Sequence, residues 1–99
     1  MVIGTLIAQI QIPGCSSRKQ RRSIVKSIKS RVAHKYNISI AELNDENALD
    51  MVTLGIASIA ITKKRCMSEI QATVNLIEES FLGEIEIINI NTELFTGLK

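Results

Sequence analysis

The chain has 99 residues, of which 45% are hydrophobic and 22% are charged, a composition typical of a soluble globular protein. This length allows one domain with its own core, so neither a disulfide nor a metal is needed for stability. The apolar runs are interrupted well before the roughly 20 residues that a membrane span requires, and residues 1–12 lack the features of a signal peptide. Two cysteines in such a chain favour reduced thiols and a cytoplasmic location.

The net charge of +2 conceals an uneven distribution. The first 41 residues carry eight basic side chains and no acidic one, whereas the other 58 carry four basic and ten acidic side chains. A separation of this kind usually reflects what a protein binds rather than how it folds. All eight cations fall within one predicted helix, which points to an anionic partner.

The first half of the chain predicts a strand, a helix and a short strand. Residues 2–12 alternate between an apolar and a mixed face, and Pro13 and Gly14 end this strand. Ser17, with Gln20 three residues later, has capping-box spacing for a helix that runs to Asn37. Apolar side chains then recur on one helical stripe, at Ile24, Val25, Ile28, Val32 and Tyr36. Residues 38–43 predict the second strand.

The second half predicts a strand, a helix and a strand after a polar turn. Residues 52–61 are typical of a buried strand, and a second helix begins near Lys63 and ends before Gly83. Residues 85–90 form the fourth predicted strand, with a bulge where Ile87 and Ile88 break the alternation. The residues after Asn91 are weakly specified.

This βαββαβ order predicts an α+β fold with a single ferredoxin-like domain over residues 1–99. Right-handed crossovers place the four strands in one antiparallel sheet, in the order 4-1-3-2, with both helices on one face. The same topology brings the start of the first helix, Arg18 to Arg22, close to the turn at residues 44–50.

The segment IPGCSSRKQRRSIVKSIKSRVAHKYNISIAEL, followed by TLGIA, resembles the YlxP-like family of small uncharacterised bacterial proteins. Members typically read close to IPG-x-x-SLK-x-KR-x-VVKSL, then R-x-NVS-x-AE, then a turn that ends in LWQR-x-x-LG-x-A. The resemblance implies a ferredoxin-like fold and a bacterial cytosolic origin. In many genomes the genes of this family lie beside genes for translation initiation and ribosome maturation. Arg18 and Gln20 replace the family's Leu and Glu, and Leu49 and Met51 stand where Trp and Arg are usual.

The leading functional hypothesis is a non-enzymatic module that binds ribosomal RNA or a ribosomal subunit through the phosphate backbone. Strands one and three contain no aromatic residue, so recognition by base stacking is not expected. The predicted anion- and nucleic-acid-binding residues lie at the start of the first helix and along its polar face. They are Ser17, Arg18, Lys19, Arg21, Arg22, Lys26 and Lys29.

Arg21 is the most informative of these residues, because its helical angle places it on the apolar stripe. An unpaired buried charge is costly, so we expect its guanidinium to overhang the end of the sheet near Ser17. There it either holds an anion with the Gly14–Arg18 loop and the helix N-terminus or, with Arg18 and Arg22, pairs with Asp45, Glu46 and Asp50. The alternative for the wider basic face of the helix is that its cations are simply solvated.

Two alternatives belong to other functional classes. An acylphosphatase-like hydrolase has a phosphate loop and an asparagine where this chain has Gly14–Arg18 and Asn44, although the wider signature of that family is absent. A homodimer through the open sheet face is favoured by Ile3 and Ile7 on the strand face without helices. The sequence predicts no catalytic residue, cofactor, metal site or membrane partner; His34 is isolated.

Overall fold

The structure is a computed structural model that describes residues 1–43 and 48–97. Its elements in chain order are β1 (Val2–Gln11), α1 (Arg18–Lys35), β2 (Ser39–Glu42), β3 (Met51–Ala60), α2 (Lys63–Ser80) and β4 (Glu86–Phe95). The strands form one antiparallel sheet in the order β2-β3-β1-β4. The predicted ferredoxin-like fold and its strand order, which is the same order counted from the other edge, are confirmed. Neither helix of the described residues is long and apolar enough to cross a membrane.

The core lies between the two helices and one face of the sheet. The alternation predicted for β1 is confirmed, since Leu6 and Ile10 are buried whereas Ile7 and Gln9 are exposed. Each fully buried aliphatic side chain contributes about 1.5–3 kcal/mol of transfer free energy. The largest are Ile10, Ile12, Ile28, Leu54, Ile70 and Ile77.

Helix α2 packs unusually close to β1 because Gly4 has no side chain. A Cβ atom at this position would lie 2.6 Å from both the Cys66 Sγ and the Ile70 Cδ1 atoms. Gly55 is different: the three atoms nearest to a Cβ there all belong to the side chain of Leu43, which is about half exposed and can move away. Gly4 therefore sets the distance between helix and sheet.

Strand β4 is longer than the sequence predicts. The expectation that residues after Asn91 are weakly specified is wrong, because residues 91–95 pair with Ile3–Ile7 of β1. Backbone hydrogen bonds to β1 hold these residues in the sheet although their side chains form no apolar pattern. The predicted bulge is confirmed: the register shifts between Gln9 and Ile10, so that Ile88 has no partner in β1.

Candidate nucleic-acid interface

The N-terminus of α1 begins as its capping signal predicts. Ser17 is the N-cap, and its Oγ accepts a hydrogen bond from the Gln20 backbone N–H at 3.1 Å. The Gln20 side chain reaches back to the backbone N–H of Ser16, at 3.4 Å, rather than to that of Ser17. These bonds fix the start of the helix and therefore the direction in which its first basic residues point.

Five exposed cations lie on one side of α1. At 3.6 residues per turn they fall within an arc of about 100° and extend over about 16 Å of the helix axis. No ion pair involves any of them within the described ranges 1–43 and 48–97. We call this set the basic stripe; it comprises Arg18, Lys19, Arg22, Lys26 and Lys29.

The basic stripe borders a shallow groove between α1 and the short edge strand β2. Arg22, Lys26 and Lys29 line this groove with Val25 and Glu42, and it encloses about 280 Å³. Glu42 bonds to Arg21, as described next, so its charge is already balanced. The groove therefore presents lysine and arginine groups to an anion without a competing free carboxylate among its lining residues.

Arg21 is buried, and the expectation that it overhangs the sheet end is wrong. The residue is only 7% exposed. Its Nη2 atom donates to Glu42 Oε2 at 2.6 Å, and its Nε and Nη2 atoms donate to the Met51 backbone oxygen at 3.3 and 3.1 Å. The buried charge is tolerated because Glu42 and this carbonyl occupy the guanidinium, so Arg21 is a structural residue and not part of the basic stripe.

Among the described residues, the carboxylate that pairs with Arg21 is not one of those that the sequence predicts. Asp50 is described and does not bond to it, whereas Asp45, Glu46 and Asn44 lie outside the described residues. Glu42 ends β2 and Met51 begins β3, so Arg21 ties α1 to both ends of the turn between these strands. The helix start therefore lies beside the residues on both sides of the predicted turn, of which residues 44–47 lie outside the described ranges.

The loop that precedes α1 uses several of its own donors. The backbone N–H of Cys15 donates to the Ile12 oxygen at 3.1 Å, and those of Ser16 and Gln20 bond to side chains. Gly14 has a φ of 75°, which a residue with a side chain adopts only rarely. An anion at this loop would compete with these internal bonds, so the predicted cradle gains no support and stays a prediction.

The remaining cations of α1 lie apart from the basic stripe. The Arg31 guanidinium lies 5.9 Å from the centre of the Phe81 ring, on the side of α1 that faces α2. His34 is exposed in the last turn, and its Nδ1 atom lies 2.8 Å from the Ser30 oxygen. His34 is thus a surface histidine near the helix C-terminus, as predicted.

Outside α1, the polar groups of the core are satisfied locally. The Ser58 hydroxyl donates to Glu69 at 2.8 Å, and that of Thr73 donates to the Glu69 backbone oxygen at 2.8 Å. Cys15 and Cys66 are buried, free thiols near opposite ends of β1. Within the described part of the chain, no three His, Cys, Asp or Glu side chains form a cluster that could hold a metal ion.

The open face of the sheet, away from the helices, carries both apolar and polar side chains. Ile7 is 43% exposed and Ile59 is 52% exposed, whereas Ile3 is half-buried. A shallow depression of about 410 Å³ lies between β1, β3 and β2, with Ile7 and Leu43 on its border. The aromatic residue on this face is Phe95, which is on β4 opposite Ile3, so β1 and β3 offer no stacking platform.

The chain matches one protein family over most of its length. Residues 3–92 match a family model described as "Protein of unknown function (DUF503)". The chain is also 29% identical over 94 residues to "Uncharacterized protein YlxP" of Bacillus subtilis (strain 168), which covers 95% of this chain and 100% of that relative. The predicted resemblance to YlxP-like proteins is therefore confirmed.

Solved structures share the fold at low sequence identity. LFR1 1, a de novo designed protein with a ferredoxin fold, has a TM-score of 0.61 at 20% identity and matches 100% of this chain and 89% of its own. HapK from Hahella chejuensis has a TM-score of 0.57 at 11% identity, over 97% and 95% of the two chains. SnoaB, a cofactor-independent oxygenase from Streptomyces nogalater, has a TM-score of 0.52 at 8% identity, over 100% and 96%. At these identities the likeness shows the fold alone.

Proposed function

Since the chain belongs to the DUF503 family of proteins of unknown function, matched over residues 3–92, its activity has to be inferred from its own surfaces, and we propose that it is a non-enzymatic module that binds the phosphate backbone of RNA. The observation that carries this proposal is the basic stripe beside the groove between α1 and β2. Ribosomal RNA, free or within a ribosomal subunit, is the proposed partner, and a bacterial cytoplasm is the proposed location.

Two features of the basic stripe favour a row of backbone phosphates over a single small anion as its ligand. The cations are spaced along about 16 Å of helix, which suits a row of phosphates more than one compact group. They also form no ion pair within residues 1–43 and 48–97, so no ion pair among these residues has to break on binding. Each neutralised phosphate releases counterions, which makes such binding strongly dependent on salt.

The absence of aromatic side chains on β1 and β3 supports a mode of binding that does not use base stacking. RNA-binding sheets of this topology stack bases on aromatic residues of the central strands. Here those strands present Ile, Thr, Gln, Gly, Ala and Met on the open face. We therefore propose contacts to phosphate and sugar, with little dependence on base sequence.

The test is to reverse the charge of the stripe's centre. Lys26→Glu combined with Lys29→Glu should weaken binding of a labelled single-stranded RNA, measured by fluorescence anisotropy. The plot of log affinity against log salt concentration has a negative slope. The magnitude of this slope should decrease by about 0.7 for each phosphate that the variant no longer neutralises. Both side chains are exposed, so the circular dichroism spectrum and the melting temperature should stay close to those of the wild type.

The matched control is Lys63→Glu combined with Lys64→Glu, at the exposed start of α2. This variant has the same net charge as the first, but its changes lie on another element. If both variants show equal decreases in affinity and slope, the effect is one of net charge and the proposed site is wrong. Co-sedimentation with ribosomal subunits at low but not at high salt would identify the ribosome as the partner.

A further inference from the structure

The two edges of the sheet differ in how far they are exposed to pairing with another strand. One edge is β2, which has four residues and is bordered by α1. The other is β4, which has ten residues and no further strand beside it in the described part of the chain. Long free edges are normally protected by Pro, by charged side chains, by bulges or by a covering element, because unpaired backbone groups otherwise recruit a strand. In β4, Glu86 and the bulge at Ile88 lie at the start of the strand, which leaves Glu93 as the one charged side chain of residues 89–95. Residues 86–95 contain neither Pro nor Lys.

The helices cover β4 less completely than they cover β1. Ile90 and Leu94 lie opposite Ala8 and Gly4, which are buried on the helix side of β1. Yet Ile90 is 41% exposed and Leu94 is 37% exposed, because α2 extends only partly over β4. The edge therefore combines unpaired backbone with apolar side chains directed to the helix side.

The register identifies which backbone groups point outward. The Ile12 N–H donates to the Asp50 oxygen at 2.7 Å, which continues the register of β1 with β3. Because residues of an antiparallel strand bond alternately to its two neighbours, the even-numbered residues of β1 bond to β3 and the odd-numbered ones to β4. In β4 this leaves the N–H and C=O groups of Ile90, Thr92 and Leu94 directed away from the sheet.

We propose that two copies of this chain pair through the segment Asn89–Phe95 of β4, antiparallel about a two-fold axis at Thr92, into one eight-stranded sheet. The bulge at Ile88 ends the paired segment, because a bulge turns the edge away from regular pairing. With Thr92 opposite its own copy, the outward backbone groups of both chains form hydrogen-bonded pairs. Two-fold dimers of this kind are the commonest symmetric assembly.

This register is self-complementary, which favours a second copy over an unrelated strand. Ile90 lies opposite Leu94 of the second copy, twice, so four exposed apolar side chains come together on the helix side. Asn91 lies opposite Glu93 of the second copy, so an amide faces a carboxylate. No carboxylate faces another carboxylate, whereas a shift that centred the pair on Glu93 would oppose like charges and reduce stability.

The first test is the oligomeric state across micromolar to sub-millimolar concentrations, measured by sedimentation equilibrium. The wild type should reach the mass of two chains. Ile90→Lys combined with Leu94→Lys would place lysines opposite one another and should raise the dissociation constant of the dimer at least about tenfold, equivalent to 1.4 kcal/mol. A wild type that stays monomeric throughout would overturn the proposal.

The matched control is Ile7→Lys combined with Ile59→Lys, which changes two similarly exposed isoleucines to lysine on the open face. This variant should dimerise like the wild type. If it becomes monomeric while the β4 variant still dimerises, the open face is the interface and the β4 proposal is wrong. If either variant is unfolded by circular dichroism, the crosslinking experiment decides.

Crosslinking tests the register directly. Cα atoms of a hydrogen-bonded antiparallel pair lie about 5.5 Å apart, within the range that a disulfide spans. Thr92→Cys should therefore form a covalent dimer under mild oxidation, and Glu93→Cys should form much less. The native thiols of Cys15 and Cys66 are buried and should not interfere. Equal crosslinking at both positions, or none at position 92, would contradict the two-fold at Thr92.

Discussion

Replacing Glu42 with Gln would remove the charge that balances the buried guanidinium of Arg21. The Arg21 side chain is 8% exposed, so water cannot replace the lost negative charge, whereas the Met51 carbonyl and the amide oxygen of the new Gln remain as acceptors. Removing one partner of a buried ion pair costs about 3–5 kcal/mol. Because Glu42 is 26% exposed, we expect the lower end of that range, about 3 kcal/mol, for Glu42→Gln.

Replacing Arg21, the other partner of the ion pair, should lower the free energy of unfolding by less. Arg21→Met keeps an apolar chain of similar length on the stripe with Val25 and Ile28. It leaves Glu42 unpaired, but this carboxylate can take up water because about a quarter of it is exposed. We expect about 1–2 kcal/mol for this variant. Arg21→Met combined with Glu42→Leu should cost less than Glu42→Gln alone, because no uncompensated charge remains.

Urea unfolding followed by circular dichroism measures these differences. The chain has no Trp, so the helix signal is the practical probe. The midpoint should fall while the m-value stays constant, and 3 kcal/mol is a large share of the about 5–15 kcal/mol expected for a domain. A cost below about 1 kcal/mol for Glu42→Gln, or a larger cost for Arg21→Met, would refute this account. Stabilisation of the wild type by sulfate that disappears in Arg21→Met would instead favour an anion site.

Three further variants test other parts of the structure. Gly4→Ala should lower the melting temperature by several degrees because its Cβ would collide with two α2 side chains, whereas Gly55→Ala should change it little because only a mobile side chain must move. Ser17→Ala should lower the free energy of unfolding by about 1 kcal/mol through removal of the N-cap, measured in urea. Neither the wild type nor Arg18→Ala should hydrolyse an acyl phosphate; turnover that Arg18→Ala abolishes would support the hydrolase alternative.

The elements that the sequence predicts well are those with a strong period. The alternation of β1 and the buried run of β3 are reproduced within about one residue, because each follows from which side chains face the core. Element order and crossover handedness then leave one simple arrangement of the four strands. The C-terminal half of β4 lacks such a period and owes its structure to β1, so local patterns could not predict it.

The burial of Arg21 could not be predicted from the pattern of its own helix alone. Its angle on α1 correctly placed it on the buried stripe, but the cost of an unpaired charge argued for an exposed position. The missing information was its partner, 21 residues further along the chain. A signal for it existed: Ile40 and Glu42 share one face of β2, so a strand with its apolar face on the core also directs a carboxylate there. Two charges predicted on the core side of neighbouring elements should be considered as a pair.

Part of the uneven charge of the sequence becomes a spatial separation in the fold, although Glu42 lies in the groove beside the basic stripe. The basic stripe lies beside β2, at one edge of the sheet, whereas Glu84, Glu86 and Glu93 lie on or next to β4, at the other edge. Acidic side chains at β4 disfavour the approach of a phosphate backbone, so RNA and a second copy of the chain are not expected to compete for one surface. The two proposals are therefore separable: reversing Lys26 and Lys29 should weaken RNA binding and leave the dimer intact. If that variant also became monomeric, α1 would take part in the interface, and the assignment of self-association to β4 would be wrong.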